Sequence, residues 1–80
     1  MSSFISIKCI PNQKLSNDKI ISFDVVWYGA EPLKAEIKME ISCERKRMRD
    51  RGINFEKNTE NYSVNGHNSL TVNYKLYPKF

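Results

Sequence analysis

Eleven consecutive residues, 33–43, alternate between apolar and polar side chains without interruption. Successive side chains of an extended chain point to opposite faces, so as a β-strand this run has one apolar face and one charged face. Wound as a helix, the same residues would place apolar groups around the whole cylinder. We therefore predict a half-buried strand over residues 33–43 in an antiparallel sheet.

Shorter runs with strand character lie on both sides of this segment. They are rich in β-branched and aromatic residues and are bounded by turn formers such as Pro11, the segment 29–32, Asn65-Gly66 and Pro78. Asn65-Gly66 is a strong signal for a hairpin turn. The predicted strands are residues 5–9, 20–28, 53–55, 62–64 and 70–77. The simplest pairing joins 20–28 to 33–43 as a hairpin.

These runs predict an all-β fold, either a small antiparallel β-sandwich or a partly open barrel of five to six strands. A chain of 80 residues forms one domain, residues 1–80, and its 40% hydrophobic content is typical of a folded protein. The layout resembles immunoglobulin-like interaction modules over about half of the chain, because a strand containing Trp27 precedes an alternating strand and a polar connector. The cysteines that flank the core tryptophan of antibody domains are lacking, so the resemblance implies a fold class only.

The apolar face of each predicted strand supplies the predicted core. The members share one parity within their strand, so their side chains point to the same side of the sheet. They are Ile7, Ile21, Phe23, Val25, Trp27, Leu33, Ile37, Met39, Ile41, Val72, Tyr74 and Leu76.

The chain offers few residues for catalytic or metal chemistry. Cys9 and Cys43 fall at core-facing positions, which predicts two buried free thiols, with a cross-strand disulfide or a metal site as alternatives. His67 alone cannot complete a tetrahedral metal site with them, and no nucleophile can be assigned to it from spacing. We predict no enzymatic activity, no metal, no cofactor and no small-molecule substrate.

All the arginines of the protein lie in one basic run, which we define as Arg45, Lys46, Arg47, Arg49 and Arg51. The planar guanidinium group suits phosphate and carboxylate groups. If the strand continued through the run, its arginines would share one face at intervals of about 6.7 Å, near the phosphate spacing of a stretched nucleic-acid strand. A solvated surface loop, or a short helix over residues 44–51, is the alternative.

Most aromatic residues have the parity of the predicted core. Phe23, Trp27, Phe55, Tyr62 and Tyr74 point inward in the predicted strands, whereas Tyr28 and Tyr77 point outward. Core packing is therefore favoured over an exposed platform for stacking bases.

The chain lacks an apolar segment long enough to span a membrane and does not begin like a secretory signal, so we expect a cytoplasmic protein. The leading hypothesis is a non-catalytic binding module that presents the basic run to a protein partner. A sheet edge at residues 5–9 or 53–55 is a further contact, and self-association is plausible. The alternative is a small nucleic-acid-binding β protein that contacts phosphates through Arg45, Arg47, Arg49 and Arg51. The net charge of +4 is modest and by itself does not argue for nucleic acid.

Overall fold

A computed structural model describes residues 6–56 and 59–77. Within these residues there is one four-stranded antiparallel sheet with a single helix on one face. The elements in chain order are β1 (Ser6–Pro11), β2 (Ile20–Tyr28), α1 (Lys34–Asp50), β3 (Asn61–Val64) and β4 (Ser69–Lys75). The strand order is β1-β2-β4-β3. The fold is α+β, so the prediction of an all-β sandwich or barrel of five to six strands is wrong.

The alternating segment 33–43 is the cause of that error, since it lies almost entirely in α1. Residues four apart have the same parity in an alternating sequence and also lie one turn apart on the same face of a helix. Ile37 and Ile41 are such a pair, and Met48 lies two turns further along the same face. Met39 and Cys43 share the opposite, exposed side. Lys, Glu, Met, Ala and Arg are good helix formers, and neither glycine nor proline interrupts the 17 residues of α1. Helix propensity together with this buried stripe outweighs the alternation.

Local hydrogen bonds define both ends of α1. At its start, the backbone N–H of Leu33 donates to the Glu36 carboxylate at 2.9 Å. At its end, Gly52 adopts a φ of +88°, which non-glycine residues rarely reach. Its N–H donates to the Arg49 carbonyl at 2.9 Å, and the N–H of Ile53 donates to the Met48 carbonyl at 3.0 Å. This pair of bonds is a Schellman motif, which satisfies carbonyls that the helix leaves unpaired.

The core lies between α1 and the facing side of the sheet. The sheet contributes the largest buried side chains, including Phe23 and Tyr74, whose ring centroids are 6.0 Å apart. The prediction of core positions is wrong for Leu33, which precedes α1 and is 70% exposed, and for Met39, which lies on α1 and is 69% exposed. Ile7, Ile21, Ile37 and Leu76 are partly buried against the core. The buried apolar residues are Phe23, Val25, Trp27, Ile41, Met48, Phe55, Val72 and Tyr74.

The remaining strand predictions fare unevenly. The bounds of β2 agree with the predicted 20–28, and β1, β3 and β4 differ from their predicted ranges by a few residues. Residues 53–55 form only an isolated bridge, between Phe55 and Leu76. The hairpin of 20–28 with 33–43 is absent, because β2 pairs with β1 and β4. The predicted start at Ile5 and the stop at Pro78 lie outside the described residues.

Candidate functional site

The basic run belongs to α1 and its C-terminal cap. Because residues four apart lie on the same side of a helix, Arg45 and Arg49 share one flank while Arg47 and Arg51 share another. Lys46 lies between the two flanks and is exposed. The expectation that the four arginines share a single strand face is therefore wrong.

Arg47 and Arg51 are engaged by carboxylates of their own helix. Glu44 lies 3.4 Å from the Nε of Arg47 and 3.5 Å from an Nη of Arg51, and Glu40 lies 3.6 Å from Arg47. The hydrogen bond that the Nε of Arg47 donates to the Glu44 carboxylate raises the pKa of Arg47. The Glu44 side chain is only 13% exposed, so its charge is compensated within the fold rather than by solvent.

Arg45 and Arg49 cover aromatic rings on the flank toward β4. The guanidinium carbon of Arg45 lies 5.7 Å from the ring centroids of both Phe55 and Tyr74, and that of Arg49 lies 5.2 Å from Phe55. Arg45 also pairs with Glu60 at 3.8 Å. Burial, and then the negative charge of Glu60, raise the pKa of Tyr74. These arginines close the edge of the core through cation–π contacts.

The β3 strand is an uncovered part of the sheet. Tyr62 and Val64 oppose Val72 and Leu70 of β4, so their side chains point to the side of the sheet on which α1 lies. The helix packs toward β1 at the other edge and does not cover them. Tyr62 is 52% exposed and Val64 is 78% exposed. Tyr62 is therefore not the core residue that its parity predicted, and the two side chains form an apolar surface.

The backbone of β3 is also open on its outer side. The N–H of Asn65 donates to the carbonyl of Ser69 at 3.0 Å, so these two residues form a hydrogen-bonded pair. Along an antiparallel ladder, such pairs alternate with pairs that share no backbone hydrogen bond. Asn61 and Ser63 therefore bond toward β4. The N–H and C=O groups of Tyr62 and Val64 point outward, where no strand pairs with them among residues 6–56 and 59–77.

The opposite edge, β1, is protected by its sequence. The backbone N–H of Asn12 donates to the carbonyl of Ser22 at 3.0 Å. By the same alternation along the ladder, the backbone groups that point away from β2 belong to Ile7, Cys9 and Pro11. Pro11 has no N–H, and Lys8 adds a charge. Lysine and proline are the residues by which edge strands avoid pairing with other chains, and β3 contains neither. Of the two edges, β3 is the one suited to accept a strand. The sequence predicted edges at residues 5–9, which correspond to the edge strand β1, and at residues 53–55, which form only an isolated bridge. It did not predict the edge at β3.

A polar network fills the sheet face that α1 does not cover. The Asp24 carboxylate accepts from the hydroxyl of Thr71 at 2.7 Å and from the side-chain amide of Asn12 at 3.2 Å. The amide of Asn65 donates to the same hydroxyl of Thr71. These bonds tie the loop after β1 and the β3–β4 turn to the sheet, so the network stabilises the edge hairpin that carries Tyr62 and Val64.

A cavity of about 390 Å³ lies between the loop after β1 and the end of α1. Phe23, Met48 and Ile53 contribute to its apolar lining, and Glu44 and Arg51 contribute its charged groups. Its volume is within the range of small-molecule sites. The residues come from separate segments, so no local signal in the sequence indicated it.

The two cysteines differ in environment. Both are free, Cys9 is partly buried and Cys43 is exposed, so the expectation of burial is wrong for Cys43. Burial, followed by the charges of Glu44 and Glu40, raises the pKa of the Cys9 thiol to about 12. Among the described residues, no group of three or more His, Cys, Asp or Glu side chains could hold a metal ion.

Comparisons with known protein families, with curated proteins and with solved structures find no match to this chain. In the part of the chain that the structure describes, no helix has the length and apolar character needed to cross a membrane. The β3 edge and the basic run are therefore the features from which a function is proposed.

Proposed function

We propose that this domain is a non-catalytic protein-binding module that accepts an extended segment of its partner at the β3 edge. The observation that carries the proposal is the coincidence, on one strand, of outward backbone groups and the exposed side chains of Tyr62 and Val64. A cytoplasmic location is part of the proposal and is supported by two free cysteines, one of them exposed.

Strand addition would satisfy both features of this edge at once. A partner strand supplies acceptors and donors for the backbone of Tyr62 and Val64, and its own apolar side chains pack beside theirs. An added strand gives affinity through its main chain and specificity through alternate side chains. We therefore expect the partner segment to be extended and apolar at alternate positions.

The basic run has a secondary role in this proposal. Arg45, Arg47 and Arg51 already face carboxylates of the domain. Among the described residues, Lys46 and Arg49 have no ion pair, and Arg49 lies on the flank toward β4. An acidic group in the partner segment would find its nearest uncompensated cation at Arg49.

The nucleic-acid alternative has less support than strand addition. Its phosphate contacts required Arg45, Arg47, Arg49 and Arg51 to lie in one row, and two flanks of the helix divide them. Titration with a single-stranded oligonucleotide at low salt tests it directly. Amide shifts confined to residues 45–51 that disappear at high salt would favour that alternative over strand addition.

A display library of random extended peptides tests the proposed function. Selected peptides should shift the amide resonances of Tyr62 and Val64 far more than those of the basic run. Val64→Pro removes an outward donor that makes no bond to β4, so it should abolish binding while leaving the domain folded. Val64→Thr keeps the donor and is the matched control. Peptides that bind equally well to the Val64→Pro variant would overturn the proposal.

A further inference from the structure

We propose that the strand that pairs with β3 is β3 of a second copy of this chain, joining two four-stranded sheets edge to edge across a two-fold axis. This inference rests on the proposed function, because it names the partner for the same edge. It is carried by the self-complementarity of the strand Asn61–Val64 and its first turn residue, Asn65.

Antiparallel pairing across a two-fold axis allows few registers, and one suits this strand. With Ser63 on the axis, Tyr62 of each copy lies opposite Val64 of the other. The outward backbone groups belong to these two residues, so each Tyr62–Val64 pair exchanges both of its N–H···O=C bonds. An aromatic residue opposite a β-branched one is a favourable cross-strand pair, and the two-fold axis provides it twice.

The neighbouring register fits less well. With Tyr62 on the axis, two tyrosines would oppose each other, and Val64 would lie opposite Glu60 of the second copy. A carboxylate would then be placed beside an apolar side chain, at a cost in desolvation. The register centred on Ser63 avoids this arrangement.

The uncharged character of the strand also favours two copies in the register centred on Ser63. Residues 61–65 carry no charge, so the pairing opposes no like charges, which would repel a copy of the same strand. The helices, with their basic runs, stay on the same face of the joined sheet but remain separated by β3 and β4 of both copies.

The expected association is weak. The contact consists of two short strands and four exposed apolar side chains, and it falls below the roughly 1,200 Å² of a standard interface, so we expect a dissociation constant on the order of 0.1 mM. Such an edge would assemble where the chain is concentrated or held on a common scaffold.

Disulfide trapping tests the register. Residues on the axis form a close pair without mutual backbone bonds, with Cα atoms about 4.5 Å apart, which suits a disulfide. Ser63→Cys in a Cys43→Ser background should therefore give covalent dimer with oxidised glutathione, which accepts the two electrons that the two thiols release. Asn61→Cys is the matched control on the same strand and face. Its two copies would lie about 13 Å apart, beyond disulfide reach.

We expect about tenfold more covalent dimer from Ser63→Cys than from Asn61→Cys at equal protein concentration. Equal yields from the two variants would overturn the register. Sedimentation equilibrium of the natural chain provides the second measurement, and a monomer throughout the range up to about 1 mM would overturn the second copy as partner. If selected peptides still shift Tyr62 and Val64 in that case, the proposed function stands and only this inference fails.

Discussion

At the scale of single residues, Gly52 determines where the helix stops. Its positive φ and its bond to the Arg49 carbonyl close the Schellman motif, which turns the chain so that Ile53 packs against the core. No atom lies within 4 Å of the position that a Cβ would occupy, so a larger residue meets backbone strain but no clash. The conformation, rather than space, requires glycine here.

Gly52→Ala should lower the free energy of unfolding by about 1 kcal/mol, because alanine pays for the left-handed conformation that glycine adopts freely. Urea unfolding followed by circular dichroism measures the change. Ser42→Ala, at an exposed position within α1, is the control and should leave stability unchanged or raise it by up to about 0.5 kcal/mol, because alanine is the better helix former. A Gly52→Ala variant as stable as the control would contradict the assigned helix end.

The thiols should differ in reactivity with an alkylating reagent. Cys43 is exposed, whereas burial and the nearby carboxylates raise the pKa of Cys9 to about 12. Only the thiolate reacts, so Cys43 should be alkylated first near neutral pH. The rate at Cys9 should rise about tenfold per pH unit until the pH approaches the raised pKa. Peptide mass spectrometry follows both residues, and equal rates at pH 8 would contradict the structure.

The same shift has a consequence for stability at alkaline pH. In the folded state the Cys9 pKa lies above its ordinary value of 9.0, so the thiol stays protonated at pH values where the unfolded chain has lost the proton. The stabilising contribution is complete below pH 9 and is lost as the pH rises toward about 12. Burial also raises the pKa of Tyr74, which acts in the same direction. Urea midpoints should therefore fall above pH 9, and less steeply in a Cys9→Ala variant.

At the scale of elements, α1 is the feature on which sequence and structure disagree. A strand and a helix over residues 33–43 would each have an apolar face, but different side chains would form it. The strand buries Met39 and Ile41 together, whereas the helix buries Ile41 and leaves Met39 exposed.

Substitutions at these two positions separate the alternatives. Ile41→Ala should cost about 2–4 kcal/mol in the free energy of unfolding, because it removes a buried side chain from the core. Met39→Ala should change stability by less than about 0.5 kcal/mol, as exposed substitutions do. Urea unfolding measures both. Similar large losses from both variants would indicate the strand and contradict α1.

The success of the sequence predictions differs between elements for a physical reason. The segment 20–28 is rich in β-branched and aromatic residues and lies within a sheet, so propensity, pattern and burial agree. In 33–43 the alternation favours a strand while the residue types favour a helix. The good helix formers over 44–51 allowed a short helix there, and the same residue types continue back to residue 34. Weighing propensity over the whole stretch would have favoured one continuous helix.

At the scale of the whole molecule, the position of α1 decides at which edge of the sheet apolar side chains stay uncovered. The helix packs toward β1, so Tyr62 and Val64 on β3 remain uncovered. The sequence indicated the 62–64 strand and its hairpin turn, but the strand order β1-β2-β4-β3 depends on contacts far apart in the chain. The basic run was identified from composition, whereas its division between two flanks follows from the helix.

Amide hydrogen exchange along β3 tests most directly whether this edge accepts a strand. The Ser63 amide bonds to β4 and should exchange slowly at any protein concentration, whereas the amides of Tyr62 and Val64 point outward. We predict that these two amides become protected on raising the concentration from about 10 µM to about 1 mM, or on adding a selected peptide. Unchanged exchange at Tyr62 and Val64 under both conditions would contradict the account.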